Sequence, residues 1–471
     1  TTATTTTTTT PTCVWESVLD SMTSTLFGHH TNCTTSTDEG SIPQSTIASE
    51  TDTQYGKELL RTIVSSSSSK NEEFLFDASV ILRRCRVSTV QKLSEALRHT
   101  TSLKKVTFRG TWSSVVAGAS NHLTNDDATN NRTTIEAKIV SSSEQQLRDG
   151  TVLQLLLDGV QRNTSITTII IENNTHIDRT VGCNFGTVLK NKKKKGGVQR
   201  LEILNCHFYR SGLQMLMSGV QHCTSLQQLS IQQCPNLSRT EIETIGITIS
   251  NSTQLQSLQL RNLFVHPLTP TNLVTSSSSF TALMDDEEEG DEDSLNLDVF
   301  AFLFWNIQQS HTLLELDLSY NPLLGRTPEL ITFLSQCLAG TAIGMRRNDL
   351  NYADTRTNHH HYSYHHIQQL KLIDCEITRS SDVKQITKAL SLKNNNTINN
   401  SIEHTQNRQQ KQQQVIRDID LSGNTFGYAG AKHCHKLLLN NTNILSFEMV
   451  GCCCNTTTNN CCCCCGCCCF L

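Results

Sequence analysis

Twenty-one cysteines and seventeen histidines give this chain of 471 residues the means for metal or thiol chemistry, and their spacing decides whether either is used. Eleven of the cysteines crowd into Cys452–Cys469 as unbroken blocks. A zinc knuckle needs cysteine pairs a few residues apart so that four sulfurs converge, and a homopolymeric block offers no single register for that. The segment reads as a low-complexity extension. Five histidines cluster at His359–His361, His365 and His366. His361 and His365 would share one helix face, but no Asp or Glu joins them in the H-E-x-x-H arrangement of a catalytic zinc site. A solvated loop is the plainer reading. Phosphate chemistry finds no support either: no G-x-x-x-x-G-K-[ST] occurs, and Gly56-Lys57 is followed by Glu58. With neither a G-x-S-x-G elbow nor a kinase motif set, the sequence reads as a non-enzyme without cofactor or resident metal.

What remains to act is surface, and a repeat organises it. Val198-Gln-Arg-Leu201-Glu-Ile203-Leu-Asn-Cys206, Leu226-Gln-Gln-Leu229-Ser-Ile231-Gln-Gln-Cys234 and Leu255-Gln-Ser-Leu258-Gln-Leu260-Arg-Asn-Leu263 superimpose as apolar-x-x-apolar-x-apolar-x-x-Cys/Leu. Their first apolar residues, the heads, lie 28 and 29 residues apart, with helix-like segments such as Ser211–Val220 between them. Heads of the same kind stand at Leu103, Ile166, Leu313, Ile367, Ile416 and Ile444, so nine strands are expected. Further helices are expected over Val152–Val160, Leu295–Ile307 and Glu329–Leu338. One such unit buries too little to offset the entropy of ordering it, whereas stacked units share a continuous apolar seam.

These lines resemble the leucine-rich repeats of the ribonuclease-inhibitor type, which carry L-x-x-L-x-L-x-x-N/C. The resemblance implies an α/β solenoid, a horseshoe with a parallel β-sheet on its concave face and helices on its convex face. It covers roughly Phe74 to Cys452. Residues 1–73 are Thr- and Ser-rich and read as mostly disordered, with short helices at Val14–Met22 and Gly56–Val64. The array spans 74–452, with insertions near 111–143, 275–293, 340–366 and 394–414, and residues 453–471 form the Cys-rich tail. The interval from Leu103 to Ile166 is 63 residues and leaves room for a degenerate repeat; that from Leu255 to Leu313 reads as one unit with an insertion. Lys192–Lys195 reads as a solvated basic turn.

Eight residues past each head stand Thr111, Asn174, Cys206, Cys234, Leu263, Asn321, Cys375, Asn424 and Cys452, of which seven are Asn or Cys. Where a strand bends into a buried loop its backbone loses the ladder, and an amide or a thiol can replace the missing partner. Cys206, Cys234 and Cys375 are therefore expected to be structural thiols. Free buried thiols suit a reducing compartment, hence a cytoplasmic or nuclear protein, although the opening on Thr1 reads as an incomplete N-terminus and leaves secretion open.

In a strand of this pattern the head, third and fifth offsets point inward, so the second, fourth and sixth line the exposed concavity. Lys105 and Arg109, then Gln228, Gln232, Gln259 and Arg261, then Glu315, Asp317, Asp418, Asp420 and Glu448 are the expected partner-binding residues. That series runs from basic through neutral to acidic. An extended polar face suits a protein partner better than a small molecule. A formal net charge of −4 argues against nucleic acid as partner, and the longest apolar run, Val299–Trp305, is far short of the ~18 residues of a membrane span. The reading is a non-enzymatic protein-interaction module. The alternatives are a small-GTPase regulator, since Ran GTPase activators resemble this array and act by ordering the partner's own groups, or the repeat portion of a larger receptor or adaptor.

Overall fold

Alternating polar and apolar residues turn each line of the repeat into a strand with one dry face. The computed structural model describes residues 54, 57–63, 72–112, 151–192, 196–209, 211–234, 237–264, 292–341, 343, 367–395 and 416–452. All of them belong to the unit Thr51–Leu471. The Val14–Met22 helix, the Lys193–Lys195 part of the basic turn, the histidine cluster, most of each insertion and the Cys-rich tail lie outside the described residues.

The chain enters through a helix over residues 57–63 (α1) and reaches β1 (Glu73–Asp77), followed by α2 (Ala78–Arg84) and α3 (Val87–His99). Strand β2 (Lys105–Arg109) leads to a helix over residues 151–162 (α4) and to β3 (Thr168–Glu172). Then come α5 (Arg179–Asn191), β4 (Arg200–Leu204), α6 (Gly212–Gln221), β5 (Gln228–Gln232), α7 (Arg239–Asn251) and β6 (Ser257–Arg261). The second half runs through α8 (Glu292–Gln309), β7 (Glu315–Asp317), α9 (Pro322–Arg326), α10 (Pro328–Ala339) and β8 (Gln369–Lys371). It closes with α11 (Ser380–Asn395), β9 (Asp418–Asp420), α12 (Gly427–Asn440) and β10 (Ser446–Glu448).

The strands form one sheet in chain order, β1 to β10, and every neighbouring pair is parallel. This is the leucine-rich-repeat solenoid expected from the sequence, with one correction of number. The described strands are ten, not nine, because β1 pairs with β2. Its line escapes the pattern because Asn71 stands where the others have an apolar head. β2 pairs directly with β3 and β6 with β7, so each long interval is a single unit and no degenerate repeat separates those strands.

Register keeps the seam continuous. Phe74, Val106, Ile169, Leu201, Leu229, Leu258, Leu316, Leu370, Ile419 and Phe447 are successive partners across the sheet, and all are buried. Burying one such side chain contributes about 1.5–3 kcal/mol. The first units are filled by rings: Phe108 packs against Phe76 at 5.3 Å, Phe185 at 5.2 Å and Trp112 at 5.7 Å between centroids. Between α5 and α6 the backbones meet over glycines, since a Cβ on Gly182 would collide with the Gly212 carbonyl, and one on Gly219 with the Gly186 backbone. Ile63 of α1 is buried, with Leu59 and Leu60 packed on the core, so the helix foreseen at Gly56–Val64 closes onto the array.

Candidate functional site: the solvent face of the sheet

The face is held in shape by what happens just past each strand. At the seventh offset from the head the backbone turns left-handed in all nine units from β2 onward: Gly110, Asn173, Asn205, Gln233, Asn262, Tyr320, Asp374, Gly423 and Gly451 have φ between 49° and 84°. In six of these units the side chain of the next residue ties its unit to the one before. Thr111 and Leu263 do not, and the buried Asn174 only accepts from the His176 N–H of its own unit (3.0 Å), its amide nitrogen finding no partner among the described residues. Asn321 donates to the carbonyls of Leu260 (2.6 Å) and Leu318 (2.7 Å), and its amide oxygen accepts from the N–H groups of Leu263 (2.8 Å) and Phe264 (2.9 Å). Asn424 repeats this on Leu372 (2.6 Å), Leu421 (2.8 Å), Cys375 and Ile377 (both 3.1 Å).

Cysteine fills the same position with one weaker donor. The Cys206 thiol donates to Ile171 (3.5 Å) and Leu204 (3.3 Å), Cys234 to Ile203 (3.9 Å) and Gln232 (3.3 Å), and Cys375 to Leu318 (3.2 Å) and Ile373 (3.5 Å). Burial pushes these three thiols up to about 12, so each keeps its proton at neutral pH. Among the described residues, no group of three or more His, Cys, Asp or Glu is placed to hold a metal, and no helix is long and apolar enough to cross a membrane.

The eleven residues expected on the face do lie on one sheet, at corresponding register positions, but they are not equally available. Lys105 pairs with Glu73 at 3.0 Å and Arg109 with Glu172 at 2.5 Å. Arg200 likewise pairs with Glu202. The expected basic end is therefore cancelled by carboxylates one position across or along the sheet, which corrects the basic-to-acidic gradient. In the middle, Gln228 is exposed, Gln232 donates to the Ser230 hydroxyl at 2.7 Å, and Gln259 accepts from that hydroxyl at 3.3 Å. Lys371 reaches Glu315 at 3.0 Å, and Glu315 also accepts from the Ser257 hydroxyl at 2.7 Å.

Asp317 is the clearest departure. It is fully buried, because Arg261 on the neighbouring strand lies over it and donates from both Nε (2.8 Å) and Nη2 to the same carboxylate oxygen. The other oxygen accepts from the Ser319 N–H at 3.0 Å. The expectation that Asp317 meets a partner is thus corrected: its charge is spent inside the sheet. Asp418, Asp420 and Glu448 remain, side by side on β9 and β10, and no ion pair engages them among the described residues.

Sequence reasoning passed over Gln233, Asn262 and Tyr320, which with Gln232 and Arg261 line a cleft of about 290 Å³ at the ends of β5, β6 and β7. The recurrence of Gly, Asn and Asp at the seventh offset was the signal that could have marked that row.

No protein-family model matches the chain, and no curated protein matches it. Among solved structures it is similar to the crystal structure of the Rad7 and Elc1 complex from yeast, at 9% identity and a TM-score of 0.31, over 97% of this chain and 96% of that one.

Proposed function

We propose that this chain is a non-enzymatic protein-interaction module that binds a protein partner across the solvent face of its sheet, with the strongest polar contact at β9 and β10. The observation supporting this reading is the difference in charge pairing along the face. Cations on the early and middle strands are matched to carboxylates within the sheet, whereas Asp418, Asp420 and Glu448 keep their charge for another molecule. Such a surface favours a partner with a basic patch, because rim charges steer encounter and suppress wrong partners more than they add affinity.

The test is capture of partners by the wild-type chain and by a variant carrying Asp418→Lys, Asp420→Lys and Glu448→Lys, followed by titration of each purified candidate. A partner of this face binds the variant about tenfold more weakly or worse, and its affinity for the wild type falls as salt rises toward about 0.5 M. All three positions are at least partly exposed and the variant gives up only the Ser422 N–H bond to Asp420 (3.0 Å), so it folds with a thermal midpoint lowered by about a few degrees at most. An unchanged set of partners with unchanged affinities rejects the reading.

A further inference from the structure

Seven of the nine left-handed residues at the seventh offset are Gly, Asn or Asp, the types that adopt this conformation at least cost, and Glu376, left-handed two residues further along its unit, is held by Arg326. The exceptions are Gln233 (φ 53°) and Tyr320 (φ 63°), and both line the same cleft, on either side of Asn262. A long side chain in that conformation costs of order 1–2 kcal/mol. Backbone strain of this kind persists where the side chain is wanted for another purpose.

The chemistry of the cleft narrows what that purpose is. Arg261, its only cation, is committed to Asp317, so the lining carries no spare charge for a phosphate or carboxylate. Gln233, Asn262 and Tyr320 make no side-chain hydrogen bond to any described residue. Each carboxamide offers a donor and an acceptor, the same complement that every peptide group presents. Tyr320 is 44% exposed and offers a ring face as an apolar anchor. A volume of about 290 Å³ lies at the bottom of the range for cofactor pockets and suits one or two side chains.

We propose that this cleft anchors an extended peptide segment of another protein. The segment's main chain is held by the carboxamides of Gln233 and Asn262, and one uncharged aromatic or aliphatic side chain lies against Tyr320. The site is separate from the acidic strands β9 and β10, so either can fail without the other.

The experiment is selection of a displayed random dodecapeptide library on the full chain, with counter-selection on the Tyr320→Asn variant. The most enriched peptide is then synthesised with a fluorophore and titrated by anisotropy. Its affinity is expected to fall about tenfold or more for Tyr320→Asn and for Gln233→Gly, and to be unchanged by Asp418→Lys with Asp420→Lys. Both cleft variants are expected to melt at or above the wild-type temperature, since each relieves a strained backbone position. Four outcomes overturn the proposal. These are no enrichment over the counter-selection, undiminished binding by the cleft variants, displacement of the peptide by ATP at a lower concentration than by unlabelled peptide, and melting of either cleft variant well below the wild type.

Discussion

Replacing Asn321 with alanine is expected to lower the free energy of unfolding by roughly 3–5 kcal/mol, because it strands two backbone N–H groups and the Leu260 carbonyl, each of which costs ~1–3 kcal/mol when buried without a partner, and leaves the Leu318 carbonyl only the weak Cys375 thiol. The simple sum is higher, but the space vacated by the amide lets water reach part of the turn. The same four-bond arrangement at Asn424 predicts a similar loss there. Asn321→Cys gives a calibrated intermediate. A thiol performs this duty at Cys206, Cys234 and Cys375, donating to two carbonyls but offering the N–H groups little, so about half of the alanine loss should be recovered. Denaturant unfolding of the three variants measures this. Equal stability of Asn321→Ala and wild type contradicts the ladder.

A second large effect is expected at the pair beneath the face. Removing Arg261 as Arg261→Met leaves the fully buried Asp317 carboxylate with only the Ser319 N–H, and breaking a buried pair from one side costs ~3–5 kcal/mol. Because the Arg261 side chain is itself 29% exposed, water can partly replace it, and a loss of about 2–3 kcal/mol is the better expectation. The double variant Arg261→Met with Asp317→Leu removes both charges and should regain most of that loss. A double-mutant cycle reads the coupling directly, and additive losses would show that Asp317 does not depend on Arg261.

The strands were legible from the sequence because the head, third and fifth offsets have no duty other than burial. From Leu103 to Ile444 that duty admits only apolar residues, and each line became a strand. β1 was hidden because its line has Asn71 in place of an apolar head, although its own Phe74 and Phe76 fill the seam. The eighth-offset series was legible as a kind of residue, but Leu263 looked like a defect in it. Asn321 in the following unit takes over part of the duty a leucine cannot perform, donating to the Leu260 carbonyl while its amide oxygen accepts from Leu263 and Phe264.

The face was harder to read, because availability depends on partners 32 to 63 residues away in the chain. Asp317 alternates like a surface residue, and only the diagonal position of Arg261, 56 residues earlier, covers it. The apparent basic end likewise dissolves once Glu73 and Glu172 stand beside Lys105 and Arg109 in register. Gln233 and Tyr320 showed in the sequence only as the two departures from Gly, Asn and Asp at the seventh offset, since their distinction is a backbone angle.

Everything the face presents depends on the lock that Cys206, Cys234, Asn321, Cys375 and Asn424, buried just past their strands, make with the preceding unit. Alkylation of the native protein with iodoacetamide, followed by mass spectrometry at each cysteine, tests this most directly. Cys183 is exposed on α5 and should label at once, whereas Cys206, Cys234 and Cys375 should stay unlabelled until denaturant unfolds the array, and then react together. Labelling of any of those three in the native protein at a rate near that of Cys183 would contradict the locked solenoid and the binding face built on it.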